Sequence, residues 1–243
     1  MAPKQKEKMI CIYKYFYIKY NLLEYLVNYF MEFFMTIQEE YFKNLSNILK
    51  INFNKKGFAF DSFSNKEEAK KFLLSQIKKD DVITFGGSTS VNQMGILEDL
   101  KDYKNFVDRN NKELKTEAEI KAFTADVYLC SANALSKNGD VIAIDGGGNR
   151  VSAMIYGPKK VYLVVGRNKI ANTQQDALKR AKDFAASQNS IRFKVNNPCS
   201  VGDMVCNENC NIDERLCAYT VIINKCHIKN RIHILFIDEE LGF

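Results

Sequence analysis

The sequence predicts an α/β domain with a mostly parallel sheet flanked by helices. Three observations carry that expectation. Short β-branched runs alternate with helical patterns from Met35 onward, two of those runs end in glycine-rich turns, and no repeat or low-complexity linker divides the chain. At 243 residues one sizeable core is a better expectation than two small ones. A composition of 46% hydrophobic and 26% charged residues is that of an ordinary globular protein and excludes wholesale disorder and fibrous classes.

The elements follow in order. In residues 1–34, Leu22, Tyr25, Leu26, Tyr29, Phe30 and Phe33 recur at helical spacing, which fits an amphipathic helix. Lys14, Lys19, Glu24 and Glu32 interrupt every window long enough to cross a bilayer, so no transmembrane span is expected. Met35 opens a segment, Thr36 to Lys50, that reads as a complete first helix. The expected division is therefore an N-terminal extension or spurious start over 1–34 and an α/β domain over 35–243. Asn65 before Lys66, Glu67 and Glu68 reads as an N-cap with acidic residues in the first turn, opening a helix to about Lys78. Buried strands are expected at Val82 to Phe85, Val127 to Cys130, Val141 to Ile144 and Val161 to Val165, with a late pair at Tyr219 to Ile223 and Ile232 to Ile237. Helices are expected over Val91 to Leu100, Val151 to Tyr156 and Asn172 to Ser187, the last followed by an extended Ile191 to Val195.

Thirty-five Lys and Arg against 29 Asp and Glu give a net charge of +6, but the charges are scattered and match no nucleic-acid motif. A small anionic metabolite is the expected partner rather than nucleic acid. Seven cysteines without a preceding cleavable signal favour a reducing cytoplasm over a secreted disulfide framework.

Three strand-end loops carry the candidate ligand site. After Phe85, the run Gly86, Gly87, Ser88, Thr89 and Ser90 leads into a helix; glycines let backbone approach a ligand, and free amides and hydroxyls donate to an anion. It lacks the Lys of a P-loop and the spacing of a dinucleotide fingerprint. A plain strand-to-helix turn capped by Ser88 or Thr89 is the other reading. Asp145, Gly146, Gly147, Gly148, Asn149 and Arg150 repeat the arrangement, with Arg150 suited to fork onto a carboxylate or phosphate, or to pair with Asp145 across the turn. Ser131 and Asn133 follow the strand ending at Cys130 and would place a third loop on the same rim of the sheet. Cys130 reads as a small buried residue.

Cys199, Cys206, Cys210 and Cys217, separated by six, three and six residues, lie in a stretch with Pro198, Gly202, Asn207, Asn209 and Asn211. Four thiols in a pliable stretch suit zinc or an iron–sulfur cluster; a reversible disulfide, or a thiol-rich loop holding no ligand, fits equally. His227 follows Cys226 and could replace one ligand. With His227 and His233 the only histidines, a three-His metal site is excluded. Asp126 and Asp145 are candidate acid–base residues, and no catalytic residue is assigned.

The ordered string Gly86-Gly87-Ser88, Thr124-Ala125-Asp126-Val127, Asn138-Gly139-Asp140, Asp145 to Val151, Tyr156 to Val161 and Gly166 to Ile170 resembles the LUD-domain, or lactate-utilisation, proteins from about Met35 to the C-terminus. The cysteine stretch is similar to that of the short members, although Val201 stands where they carry Thr and one extra residue separates Cys206 from Cys210. The resemblance implies a Rossmann-like fold similar to ribose-5-phosphate isomerases and CoA transferases, which bind anionic ligands at strand-end loops. It also implies an accessory role in oxidising lactate to pyruvate beside iron–sulfur protein subunits; a homo-oligomer is a separate expectation. A stand-alone binding protein or transferase-like enzyme for a phosphorylated or CoA-linked metabolite is the second expectation, since fold does not transfer function.

Overall fold

The computed structural model describes the chain except residues 1–2, 202–203, 208–209, 211–212 and 214, and except the side chains of residues 3–18, 25–26, 28–29 and 31–35. Residues Met1–Leu45 form one unit and Ser46–Phe243 another. Helix α1 (Pro3–Lys55) runs without a break through Met35. Leu22 and Phe30 of the expected apolar stripe are exposed, while the side chains of Tyr25, Leu26, Tyr29 and Phe33 lie outside the described ones. Among the described residues no helix is long and apolar enough to cross a membrane.

In the unit Ser46–Phe243 the chain runs β1 (Ala59–Phe63), α2 (Lys66–Gln76), β2 (Ile83–Phe85), α3 (Thr89–Met94), α4 (Ile96–Leu100), α5 (Lys115–Lys121), β3 (Val127–Cys130), β4 (Ala134–Ser136), β5 (Val141–Asp145), α6 (Asn149–Ile155), β6 (Lys160–Gly166), β7 (Ile170–Ala171), α7 (Gln174–Arg180), α8 (Ser187–Phe193), β8 (Tyr219–Ile223) and β9 (Ile232–Ile237). Five strands form a wholly parallel sheet in the order β1-β9-β6-β3-β2. A parallel sheet needs cover on both faces, and the alternation of side chains supplies it. Val127 and Leu129 of β3, Tyr162 and Val164 of β6, and Leu235 and Ile237 of β9 join Leu73, Ile83, Val91, Ile96 and Leu100 in one core. Phe236 of β9 meets Phe60, which stacks on Phe53 in the last turns of α1.

The helix starts follow local chemistry. Asn65 accepts the Glu68 N–H at 2.9 Å, and Thr173 and Asp176 form a reciprocal capping box at the start of α7. The expected helix Val91 to Leu100 is broken at Gly95, which turns left-handed between α3 and α4.

Two expectations need correction. The strands Val141 to Ile144 and Tyr219 to Ile223 do not enter the parallel sheet: β5 and β8 pair antiparallel in a second sheet, β7-β4-β5-β8, packed beneath α7 through Ala134, Ile142, Ile144, Ala177 and Ala181. Tyr219 to Ile223 and Ile232 to Ile237 thus belong to different sheets. Residues Ile191 to Val195 are not extended either, because α7 continues through a π-helical stretch, Ala181–Ala186, into α8, which ends at Lys194 in left-handed backbone. Burial of Ser187 and Ser190, bonded to Cys199, overrides the strand-like alternation there.

Asp140, between β4 and β5, ties the second sheet to the end of α1. Its carboxylate accepts hydrogen bonds from Lys56 at 2.7 Å, Asn224 at 2.9 Å and Ser136 at 2.7 Å. Burial pushes its pKa up, but these donors outweigh it and hold the carboxyl below its ordinary value. A depressed carboxyl contributes stability that is present above the ordinary carboxylate range and lost as pH falls through the folded value. Asp140→Asn should therefore cost about 2–4 kcal/mol near neutrality, by removing the charge of a buried carboxylate that three donors surround, and the gap to wild type should narrow as pH falls below about 4 in denaturant titrations.

Candidate functional site

The C-terminal ends of the parallel strands open into a cleft of about 710 Å³. Loops after β2 and β3 lie on that rim, and the third expected loop, Asp145 to Arg150, reaches it from the second sheet. Of the expected ligand residues, Gly87, Ser88, Thr89, Ser131, Asn133, Asp145, Gly146, Gly147, Asn149 and Arg150 line the cleft. Gly86, Ser90 and Gly148 stand behind it, each with a structural reason. Ser90 is fully buried and donates to the Leu241 carbonyl at 3.0 Å. Gly148 takes the left-handed conformation that starts α6. Gly86 is held where any Cβ would meet the Tyr128 hydroxyl and lie 2.9 Å from Arg150 Cγ.

Local bonding decides several roles the sequence left open. Ser88 caps α3 by accepting the Val91 N–H at 3.2 Å. Asp145 caps α6, its Oδ2 accepting the N–H groups of Arg150 and Val151 at 3.1 Å each, and stands 3.9 Å from Arg150 Nε. Asp126 accepts the Val82 N–H at 2.9 Å and pairs with Lys159 at 2.6 Å, which holds its carboxyl below the ordinary range and gives it a structural task. His233 contacts Asp61 at 2.9 Å between the Phe72 and Tyr162 rings. Burial pushes the Cys130 thiol up to about 12.

The loop Ser131-Ala132-Asn133 organises the cations. Arg150 donates from Nη1 to the Ser131 carbonyl at 2.5 Å, and from Nη2 to Asn133 Oδ1 at 2.9 Å and the Ile144 carbonyl at 2.6 Å. Lys169 donates to the Ala132 carbonyl at 3.2 Å, and Arg180 to the Asn133 carbonyl at 2.6 Å. Three successive carbonyls thus each accept from a different buried or half-buried basic side chain. Burial lowers Arg180 to about 10. It lowers Lys169 far below its ordinary value, helped by repulsion from Arg180 and Arg150.

Arg109, Lys115, Arg192 and Arg215 also line the cleft, against Glu119 and Asp145 as its acidic side chains. Arg109 pairs with Glu119 at 3.0 Å, and its buried Nε has no hydrogen-bond partner. Burial lowers Arg192, and nearby Arg150 and Arg109 lower it further. The cleft therefore concentrates positive potential, and Phe193 and Phe243 add apolar wall. Sequence reasoning missed Arg109, Lys115, Lys169, Arg192 and Arg215 as site residues. Lys169 alone stood in a quoted motif, Gly166 to Ile170.

Cys199, Cys206, Cys210 and Cys217 are free thiols. They come within electrostatic range of one another: burial first, then Cys199, Cys206 and Cys210, pushes the Cys217 thiol up to about 11. Among the described residues no group of three His, Cys, Asp or Glu side chains is placed to hold a metal ion. Gly202, Asn209 and Asn211 of the same stretch lie outside the described residues. Cys217 also lines the cleft.

No curated protein matches the chain. Among solved structures, a DUF162 family protein from Deinococcus radiodurans is similar at 9% identity, covering 80% of this chain and 96% of that one with a TM-score of 0.49. A family model described as the LUD domain matches residues 47–237. The chain belongs to the LUD-domain family.

Proposed function

We propose that this LUD-domain protein binds a small anionic metabolite in the strand-end cleft and serves as an accessory subunit in oxidising lactate to pyruvate, passing electrons to iron–sulfur partner subunits. One observation carries the ligand reading: Arg109, Arg150 and Arg192 line the cleft within electrostatic reach of one another. Mutually repelling guanidinium groups in a half-buried site are stabilised when an anion arrives, which gives the cleft a standing preference for negative charge. A ligand that binds only the folded state raises the melting temperature by mass action. Lactate or pyruvate should therefore stabilise the protein where neutral analogues such as lactamide do not. Stabilisation by none of the acids would remove the lactate reading.

The volume of the cleft favours a second reading. About 710 Å³ is the size taken by drug-like ligands and far exceeds a three-carbon acid. In that reading the protein is a stand-alone binder or transferase-like enzyme for a phosphorylated or CoA-linked metabolite, and acyl-CoAs, nucleotides or sugar phosphates give the larger thermal shift.

Cys199, Cys206, Cys210 and Cys217 have the donor chemistry for an iron–sulfur cluster or zinc, and a bound cation would draw off their protons. A cluster would supply electron transfer, whereas zinc would be structural. In anaerobically purified protein, iron with acid-labile sulfide that disappears in the Cys206→Ser/Cys210→Ser double variant supports the lactate-oxidising role. Zinc alone supports the second reading, and absence of both metals refutes the thiol site.

A further inference from the structure

Among the described residues that line the cleft, Lys169 has a placement that the anion-binding reading does not use. It follows β6, a central strand of the parallel sheet, and closes the short turn Arg167–Lys169 at the strand's C-terminal end. Its residue is only 4% exposed, yet it reaches the cleft wall. The polar contacts of its Nζ are three uncharged oxygens: Ser90 Oγ at 2.8 Å, Ser131 Oγ at 3.0 Å and the Ala132 carbonyl at 3.2 Å. Ser90 and Ser131 each have another acceptor for their own protons, the carbonyls of Leu241 and Val164, so neither hydroxyl depends on the amine.

We propose that Lys169 captures a carbonyl substrate covalently, its Nζ forming an imine with the oxo carbon of a 2-oxo acid whose carboxylate is held by the arginines of the same cleft. The proposal rests on the anion-binding reading and names its substrate class. Three features of the geometry support it.

A nucleophilic amine must be neutral, and burial without a carboxylate beside two guanidinium groups favours that form by pushing the amine far below the ordinary lysine range. Ser131 places the two functions side by side. Its hydroxyl meets Lys169 while its own carbonyl meets Arg150, so amine and guanidinium converge on a single residue. A 2-oxo acid carries its carboxylate one bond from its oxo carbon and suits such a short span. The Ser131 hydroxyl keeps its own proton on the Val164 carbonyl at 2.6 Å and so serves as the acceptor, 3.0 Å from Nζ, that orients the amine.

The chemistry closes without a further reagent. The amine lone pair attacks the oxo carbon, the C–N bond forms, the carbonyl oxygen takes up a proton, and the carbinolamine loses one water to give the imine. No oxidation occurs in the capture itself.

The test is reductive trapping. Full-length protein is incubated with pyruvate and cyanoborohydride, digested and mapped by mass spectrometry, with lactate as a control that has no carbonyl. The expected result is one carboxyethyl group per chain, on Lys169, absent with lactate and absent in Lys169→Arg. Mapping the wild-type adduct decides the matter even if that variant fails to fold. Thermal shifts measured with the same acids keep two failures apart. Stabilisation by pyruvate with no adduct, or with adducts scattered over exposed lysines, overturns covalent capture alone. No stabilisation and no adduct overturns with it the binding of lactate or pyruvate in the cleft.

Discussion

Arg150→Met should be the most damaging single substitution at the cleft, lowering stability by about 3–5 kcal/mol and abolishing ligand-induced stabilisation. The side chain satisfies the Ser131 carbonyl, Asn133 Oδ1 and the Ile144 carbonyl at once. Removing it takes a donor from all three, although Asn133 Oδ1 keeps the Ile144 N–H at 2.8 Å, and each buried acceptor left unpaired costs about 1–3 kcal/mol. For a unit of this size each kcal/mol moves the melting temperature by roughly 2–4 °C, so calorimetry should register a drop of roughly 10 °C. Arg150→Lys should recover little, since an ammonium cannot span three acceptors held in a guanidinium fork. A variant melting with wild type and still stabilised by anions would show that the loop does not depend on Arg150.

Gly86→Val is the second large effect, and it separates packing from charge because no cation is removed. A Cβ at this position meets the Tyr128 hydroxyl and approaches Arg150 Cγ to 2.9 Å. Tyr128 is 2% exposed and cannot swing away, so the added branch must displace Arg150. Overpacking of this kind costs about 1–3 kcal/mol. The more telling readout is binding: anion-induced stabilisation should fall as far as in Arg150→Met, although every charged residue remains. Retained binding would mean that the guanidinium does not define the site.

Much of this arrangement was legible in the chain before folding, and the reasons are local. The runs Val127 to Cys130, Val161 to Val165 and, but for His233, Ile232 to Ile237 are apolar throughout, as strands buried on both faces are, and all three lie in the parallel sheet. The turns after β2 and β5 announced themselves by their glycines, the first also by its hydroxyls, and both reach the cleft. The second sheet was not legible. β4 has three residues and β7 two, too few to set a period, and antiparallel pairing of β5 with β8 is decided by how the chain returns after Cys217. Residues Ile191 to Val195 alternate like a strand, yet most of that run is helical because Ser187 and Ser190 are drawn under Cys199.

The cations of the cleft show the same divide. Arg150 sat in a glycine turn and was named. Arg109, Lys169 and Arg192 come from loops and a helix far apart in sequence, and only the folded sheet brings them to one rim. A scattered net charge of +6 gave no hint that six basic side chains line a single cleft against two acidic ones. Long-range electrostatics is set by topology, and single-sequence patterning does not carry it.

The claim at the centre of this account is that the strand-end cleft is an anion site built on Arg150 and its neighbours. Isothermal titration calorimetry tests it most directly, with pyruvate, lactate and coenzyme A titrated into wild-type protein and into Arg150→Lys at low and high salt. The account predicts saturable binding of at least one of these anions to wild type, weakened by salt and lost in the variant. Binding that survives the substitution and ignores salt, or no binding of any of the three, would contradict it.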